Sequence, residues 1–508
     1  MMNAKGSVDS QRARGHRPVA IGIPARLTQG PRVSTPPWSA SLASHEFGTA
    51  GKWWVLLSIG MGNFVSGVNS SVTNTVLPLI ARDFQADIST VSWVLMAYLV
   101  VLSSLLLTFG RLGDVAGHRR IYLTGMAVTI GASMLGGAAP NESLLIGFRA
   151  IQACGSGMTA ATGIVLVTLA FGPRDRGKAI GLQTSLTYFG MVVGPALGGL
   201  LAAAFGWRAV FYMNGPIGIV VILLGLRVLP RDTATARQAK FDVAGAATSF
   251  VMLTALLLGI SQGQTWGWAS GATLGSFAMS ALAGVLFVRA ELAHPEPMLD
   301  LGLFRDRLLT TSVISANLNY VATFFQNFLL PFYLVGARGL AIDQAGLLLM
   351  VSPVVMMLVA PQAGRLSDRI GSRLLTSCGM AILAVGLVAL SQLGEHASTT
   401  HIIAAQLVIG VGCGMFSSPN TNAMMGEVPH ERQGTAGGMQ AVSRNVGMVL
   451  GVALAGAILS SRLDILGGPG HFIQAFHDTL LVGAGFALAG ALLSLTKDAP
   501  TARGKPSS

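Results

Sequence analysis

From residue 53 onward the chain is a series of long apolar runs separated by short polar connections. They fall at 53–77, 91–111, 120–138, 143–169, 178–204, 209–229, 243–262, 271–290, 309–334, 343–362, 373–392, 401–422, 436–460 and 476–496. Each approaches the roughly 20 residues that a helix needs to cross a bilayer core. The pattern predicts an all-α integral membrane protein with fourteen transmembrane helices. Short connections make neighbouring helices antiparallel, and an even number of crossings puts both ends on one side. The basic residues say which side. The connections opposite the N-terminal tail carry only Arg82, Arg208, Arg338 and Arg462 of the 33 lysines and arginines. Arg149 and Arg444 lie inside runs, and all the others fall on the tail side. Positive charge stays cytoplasmic, so both termini are expected there, in a multi-pass protein of the plasma (inner) membrane.

Composition supports this class. The chain is 508 residues long, 52% hydrophobic and 11% charged, with mean hydropathy +0.61. Soluble proteins carry about 25% charged residues. The net charge of +12 is explained by positive charge beside the spans, so no nucleic-acid partner is expected. Cys154, Cys378 and Cys413 sit inside apolar runs with no metal or disulfide spacing. The stretch "GPRDRGKA" at 172–179 approaches a phosphate-binding loop, but Ala179 replaces the required Ser or Thr and no strand precedes it. No nucleophile–base set and no metal cluster is present, so neither an enzyme nor a cofactor is expected. Residues 1–52, polar and rich in Arg, Pro and Ser, are expected to form a disordered cytoplasmic tail, with a second tail at 497–508.

The chain repeats itself. "GLQTSLTYFGMVVGPALGG" at 181–199 can be laid on "GMQAVSRNVGMVLGVALAG" at 438–456, and "GSGM" at 155–158 on "GCGM" at 412–415. The charged stretch "GRLGDVAGHRR" at 110–120 has its echo in "GRLSDRIGSRLL" at 364–375. The expected organisation is a six-helix bundle at 53–229, a linker with two extra transmembrane helices at 230–308, and a second six-helix bundle at 309–496. Two related halves around a central pathway is a transporter plan. Because one chain holds both, it is expected to work as a monomer in the lipid bilayer.

Several residues stand out against this background. In the charged turns, Asp114 and Asp368 lie near arginines and helix ends, where a carboxylate caps N–H groups and pairs with a neighbouring guanidinium. With Gly110, Arg111, Gly117, Arg119 and Arg120, and with Gly364, Arg369, Gly371 and Arg373, they form a pair of candidate cytoplasmic latches. Gly110, Gly113 and Gly117 are expected to allow a tight turn and close helix approach. Arg149, near Gln152, and Arg444 are charges inside spans, which mark function by default. Gly190, Gly194 and Gly198, with Pro195 and Gly199, form a small-residue ladder suited to backbone-to-backbone helix contact. Asn69, Asn74, Gln183, Tyr188, Asn317, Tyr320, Phe324 and Gln326 are candidate cavity walls. Amides and aromatic faces in an apolar cavity suit amphiphilic organic molecules.

These stretches resemble the major facilitator superfamily. "GRLGDVAGHRR" is similar to its Gly-x-Leu-x-Asp-x-x-Gly-Arg-Arg signature through Gly110, Leu112, Asp114, Gly117, Arg119 and Arg120. "FRAIQACGSG" and "GMVVGPALGG" resemble its fourth- and fifth-span signatures. "WRAVFYMNGPIG" at 207–218 and "PMLDLGLFRDR" at 297–307 resemble the fourteen-span drug:proton antiporter branch. The resemblance implies alternating access, small-molecule substrates, protons as the coupled ion, and an antiporter-type seal at Gly194–Pro195. One position departs. The branch carries an aspartate in its first span where "VNSSVTNTVLP" at 68–78 has Asn69, and Asn does not titrate. The leading expectation is therefore a drug-efflux type exporter. The alternatives are a carrier of one metabolite with non-standard coupling, and a non-transporting membrane sensor.

Overall fold

The computed structural model describes residues 49–171, 176–232, 243–293, 306–426 and 433–496. Of the expected tail at 1–52, residues 1–48 lie outside the described residues and residues 49–52 belong to the first helix instead; the expected tail at 497–508 and parts of the linker also lie outside the described residues. The first half is built from α1 (Thr49–Phe84), α2 (Ile88–Ala116), α3 (His118–Gly137), α4 (Glu142–Ala170), α5 (Arg176–Phe205), the short α6 (Ala209–Tyr212) and α7 (Asn214–Val228). Then come α8 (Val243–Trp266) and α9 (Gly271–Ala293). The second half contains α10 (Arg307–Phe332) with a π-helical turn at Tyr333–Ala337, α11 (Ile342–Leu349), α12 (Val351–Ile370), α13 (Ser372–Ser391), α14 (Thr399–Gly426), α15 (Gln433–Leu466) and α16 (Phe472–Leu495).

Local chemistry sets several boundaries. The Asn141 side chain accepts from the Leu144 N–H at the start of α4, and Asp306 accepts from the Leu309 N–H at the start of α10. Each satisfies a helix-end donor that nothing else in the helix can reach. The π-helical turn follows directly on Pro331, which removes a donor from the ladder and forces the chain to re-register.

Packing repeats between the halves. In the first, α1 lies along α5 and α4 packs on α2 and α3; in the second, α10 lies along α15 and α14 packs on α12 and α13. Glycines set the closest crossings. A Cβ on Gly155 would lie 2.5 Å from the Gly125 carbonyl oxygen, and one on Gly379 would lie 2.8 Å from that of Gly412. Only residues without side chains let two helix backbones approach this closely. The halves meet through α2 against α15 and α5 against α11; α8 and α9 pair, and α8 docks on α2 and α15. The outer surface of α9 is apolar, with Leu274, Met279, Leu282, Val285 and Leu286 exposed.

Among the described residues, twelve helices are long and apolar enough to cross a membrane. The expected runs at 120–138 and 243–262 fall on helices that do not reach that standard. The first, α3, dilutes its apolar residues with Arg119, Arg120, glycines, threonines and a serine; the second, α8, has an apolar stretch of only Ala244–Ile260.

Candidate functional site

The first half encloses a polar network at the level of Arg149. This side chain, on α4, is 2% exposed. Its Nε donates to the Val94 carbonyl of α2 at 3.1 Å and its Nη1 to the Gln152 Oε1 at 2.8 Å. The guanidinium lies over the ring of Tyr98, 4.3 Å from the centroid, with the Phe211 ring at 6.0 Å. Among the described residues no carboxylate pairs with it. A buried cation costs several kcal/mol to desolvate; cation–π contact returns about 2 kcal/mol, and the two neutral acceptors offset part of the rest.

Phe211 links this cation to a second group. Its carbonyl accepts from Ser133 Oγ at 2.8 Å. Asn214 at the start of α7 donates through Nδ2 to Ser133 Oγ at 2.9 Å and to Asn69 Oδ1 at 2.8 Å. So Asn69 sits in an amide-to-amide contact among α1, α3 and α7. Buried Asn69 Nδ2, Asn74 Oδ1, Tyr98 OH, Gln152 Nε2 and Asn214 Oδ1 have no partner among the described residues. Buried polar atoms are normally satisfied; of these five, Tyr98 OH and Gln152 Nε2 belong to side chains that touch Arg149, and Asn69 and Asn214 to the amide contact that Ser133 and Phe211 link to it.

The charged turns are tighter than the sequence suggests. Residues 110–116 are helical, because α2 runs on to Ala116, and only Gly117 breaks the ladder. Gly117 (φ 101°) and Gly371 (φ 83°) both occupy the left-handed region that favours glycine. Gly110, by contrast, would have open space around a Cβ and requires neither a turn nor a close approach, which corrects the expectation for it; Gly364 packs against Ser418. Arg120, Arg369 and Arg373 are exposed, and Arg119 is half-buried. The side chains of Arg111, Asp114 and Asp368 lie outside the described residues.

One carboxylate at the first turn escaped the sequence reading. Asp232, beyond α7, accepts from the backbone N–H of Arg119 at 2.9 Å and of Arg120 at 3.1 Å. It thereby caps α3, where the helix dipole favours an anion. Arg119 also donates to the Leu226 carbonyl at 2.5 Å. The signal in the sequence was a lone acid in "LPRD" directly after a span.

The glycine ladder divides its work. Gly190, Gly194 and Gly198 face α1, meeting Phe64, Ser71 and Val72. Gly199 and Pro195 face the other half: a Cβ on Gly199 would lie 2.6 Å from the Ile342 carbonyl oxygen, and one on Gly346 would collide with the Pro195 carbonyl. This backbone contact between α5 and α11 lies at the end of the molecule away from the charged turns. Gly346 was not singled out in the sequence, because a single glycine in an apolar run carries no signal.

The remaining candidates scatter. Gln326 donates to Gln406 Oε1 at 2.5 Å, and Phe324 packs its Cβ against Gly451, so both serve helix contacts in the second half. Gln183 is buried beside Gly163 in the first half. Asn317 donates to the Ser443 carbonyl at 3.0 Å. Tyr320 interacts with Tyr188 across the halves, with Arg444 and Cys413 within electrostatic reach. A recess of about 410 Å³ at the far end of the second half is lined by Gln392, His471, Gln474 and His477 and includes none of the candidates.

Comparison with known proteins places this architecture. Residues 59–304 and 312–508 match the family model described as Major Facilitator Superfamily. The chain belongs to the Major Facilitator Superfamily. Its relatives include the riboflavin transporter RibZ of Clostridioides difficile, 33% identical over 81% of this chain and 89% of RibZ. The multidrug resistance protein Stp of Mycobacterium tuberculosis is 30% identical over 83% of this chain and 78% of Stp. The tetracenomycin C resistance and export protein of Streptomyces glaucescens is 28% identical over 81% of this chain and 76% of its own. Among solved structures, a bacterial homologue of the human lysosomal transporter Spinster shares the fold, with TM-score 0.66 at 14% identity over 89% of this chain and 97% of that one. The protein is thus a multi-pass membrane transporter of this superfamily, and its relatives are transporters rather than enzymes.

Proposed function

We propose that this superfamily member is a secondary active exporter of small organic, often amphiphilic compounds, working by alternating access with protons moving the other way. The observation that carries the reading is Arg149, a buried cation held only by neutral groups, two of which, Tyr98 and Gln152, keep an unpartnered polar atom. A static scaffold gains nothing from such a charge, whereas a pathway uses it to bind or couple. The names of Stp and of the tetracenomycin C protein, a multidrug resistance protein and an export protein, support the export direction. In this reading the chain crosses the plasma (inner) membrane fourteen times as a monomer of the drug:proton antiporter branch, with both termini cytoplasmic. The regions 53–229 and 309–496 form the rocking halves, the region 230–308 supplies two extra helices, and Asp114 and Asp368 with their arginines latch the cytoplasmic side.

A second reading has its own observation. Asn69 replaces the acid of the branch and is engaged by Asn214, which favours a carrier of one metabolite without carboxylate coupling; RibZ is named for a single compound. Everted vesicles decide. With the vesicles energised and lumenal pH followed by dye quenching, a panel of cationic, neutral and anionic amphiphiles is expected to release protons in vesicles containing the protein and not in empty ones. Transport of a radiolabelled compound without proton release would remove the antiport reading. No transport across the panel would transfer the assignment to the narrow carrier.

A further inference from the structure

Arg444 is the second charge inside the apolar runs, and its setting differs from that of Arg149. It is half-buried on α15. Its neighbour Ser443 fixes α15 to α10 twice: the Ser443 carbonyl accepts from Asn317 Nδ2 at 3.0 Å, and Ser443 Oγ donates to the Val313 carbonyl at 3.1 Å. One turn on, a Cβ at Gly447 would lie 2.8 Å from both the Asn317 carbonyl oxygen and Tyr320 Cβ. Arg444 and Tyr320 therefore stand on two helices whose backbones touch. The Tyr320 hydroxyl interacts with Tyr188 of α5, and Arg444 and Cys413 lie within electrostatic reach of it. Cys413, on α14, is 3.4 Å from Thr323 Oγ1.

The cluster has three properties of a recognition site. It draws on both halves, since Tyr188 belongs to the first and the other residues to the second. Tyr188, Tyr320 and Cys413 lie near the middle of their helices, and Arg444 lies about a third of the way along α15; sites between transporter repeats are built at such mid-helix levels. Its charge is surplus to the repeat: the two quoted stretches align Arg444 with Thr187, and among the described residues no carboxylate pairs with it. A guanidinium in a low-dielectric setting binds a carboxylate or sulfonate through short charge-assisted hydrogen bonds and repels a cation. The two phenols offer ring faces and hydroxyl groups to a planar ring system.

We propose that Arg444, Tyr188 and Tyr320 form a substrate site between the halves for planar aromatic compounds that carry an anionic group. The proposal rests on the transport reading above and names its substrate class. Because Tyr188 and Tyr320 come from opposite halves, the site is complete only while the two are in contact, and rocking divides it.

The test is binding to the full-length protein in detergent, read by fluorescence anisotropy, with two dyes of one xanthene skeleton: fluorescein, an anion at neutral pH, and a cationic rhodamine. Fluorescein is expected to bind about tenfold or more tighter, the scale of a hydrogen bond to a charged group. Arg444→Thr, which installs the residue the first half carries at this place, is expected to abolish the preference. Arg444→Lys is expected to retain part of it, and Tyr320→Phe to weaken both dyes alike. Each variant is checked by gel filtration, and Arg444→Lys keeps the test alive if Arg444→Thr fails to fold. Equal or tighter rhodamine binding, or an undiminished preference in a folded Arg444→Thr, overturns the proposal. Export separates the two readings. Vesicles that export cationic and neutral compounds while the protein ignores fluorescein sink the site and leave the exporter. A fluorescein preference lost in Arg444→Thr, in vesicles that export nothing, sustains the site and removes the exporter.

Discussion

Arg149 in the first half and Gln406 in the second stand at matching places, counting back from the paired "GSGM" and "GCGM" stretches. Both reach across to the second helical segment of their own half. Arg149 donates to the Val94 carbonyl at 3.1 Å and Gln406 to the Leu348 carbonyl at 3.4 Å. Val94 and Leu348 also match when counted back from the two charged turns. Each side chain then takes a second neutral partner, Gln152 for the arginine and Gln326 for the glutamine. The same helix-to-helix bond is thus made once by a cation and once by an amide. A neutral group suffices for the architecture, so the charge of Arg149 answers a need other than folding. In the proposed reading the first half couples or binds at this place, while at the matching place of the second half Gln406 ties helices together.

That contrast breaks most sharply at Arg149 itself. Arg149→Gln, which copies the second half, is expected to leave the protein in the membrane with an unchanged gel-filtration profile. Transport should fall about tenfold or more, the loss set by one hydrogen bond to a charged group. Retained transport would mean that the charge is incidental. The converse change, Gln406→Leu, strips a partner from the buried Gln326 and should cost about 1–3 kcal/mol of stability, seen as a lower melting temperature in detergent. Its pH profile of transport should match the wild type; a shifted profile would give the second half a coupling role and erase the difference between the halves.

A smaller asymmetry lies at the charged turns. Gly117 carries a positive φ and also faces the Asp232 carboxylate, whereas a Cβ at Gly371 would meet open space. Asp232→Ala should remove the cap on α3 and cost about 1 kcal/mol, measured as a small drop in melting temperature. An unchanged melting temperature would show that the two turns are equivalent after all.

Much of the architecture was legible beforehand, because a bilayer imposes long apolar helices and short connections leave few ways to pack them. The repeats were legible for the same reason: "GSGM" and "GCGM" mark glycine crossings that tolerate no side chain. Less of the site was readable. Arg149 announced itself as a charge in an apolar run. Tyr98, Ser133 and Asn214 did not, since single polar residues in a span serve packing as readily as function. Phe324 and Gln326 looked like cavity walls and proved to be helix contacts, because a sequence shows which residues are polar or aromatic but not which neighbour they face.

The sequence alone determined the membrane class, the internal duplication and the positions of the two charges inside the apolar runs, because each depends on local composition or on a pattern that can be counted along the chain. Only the tertiary structure decided what surrounds those charges. It set Arg149 on Tyr98 with no carboxylate partner among the described residues, brought Tyr188 from one half to Tyr320 of the other, and carried Asp232 back to the start of α3. These contacts join residues far apart in the chain, and their energies depend on distances and burial that exist only once the helices have packed.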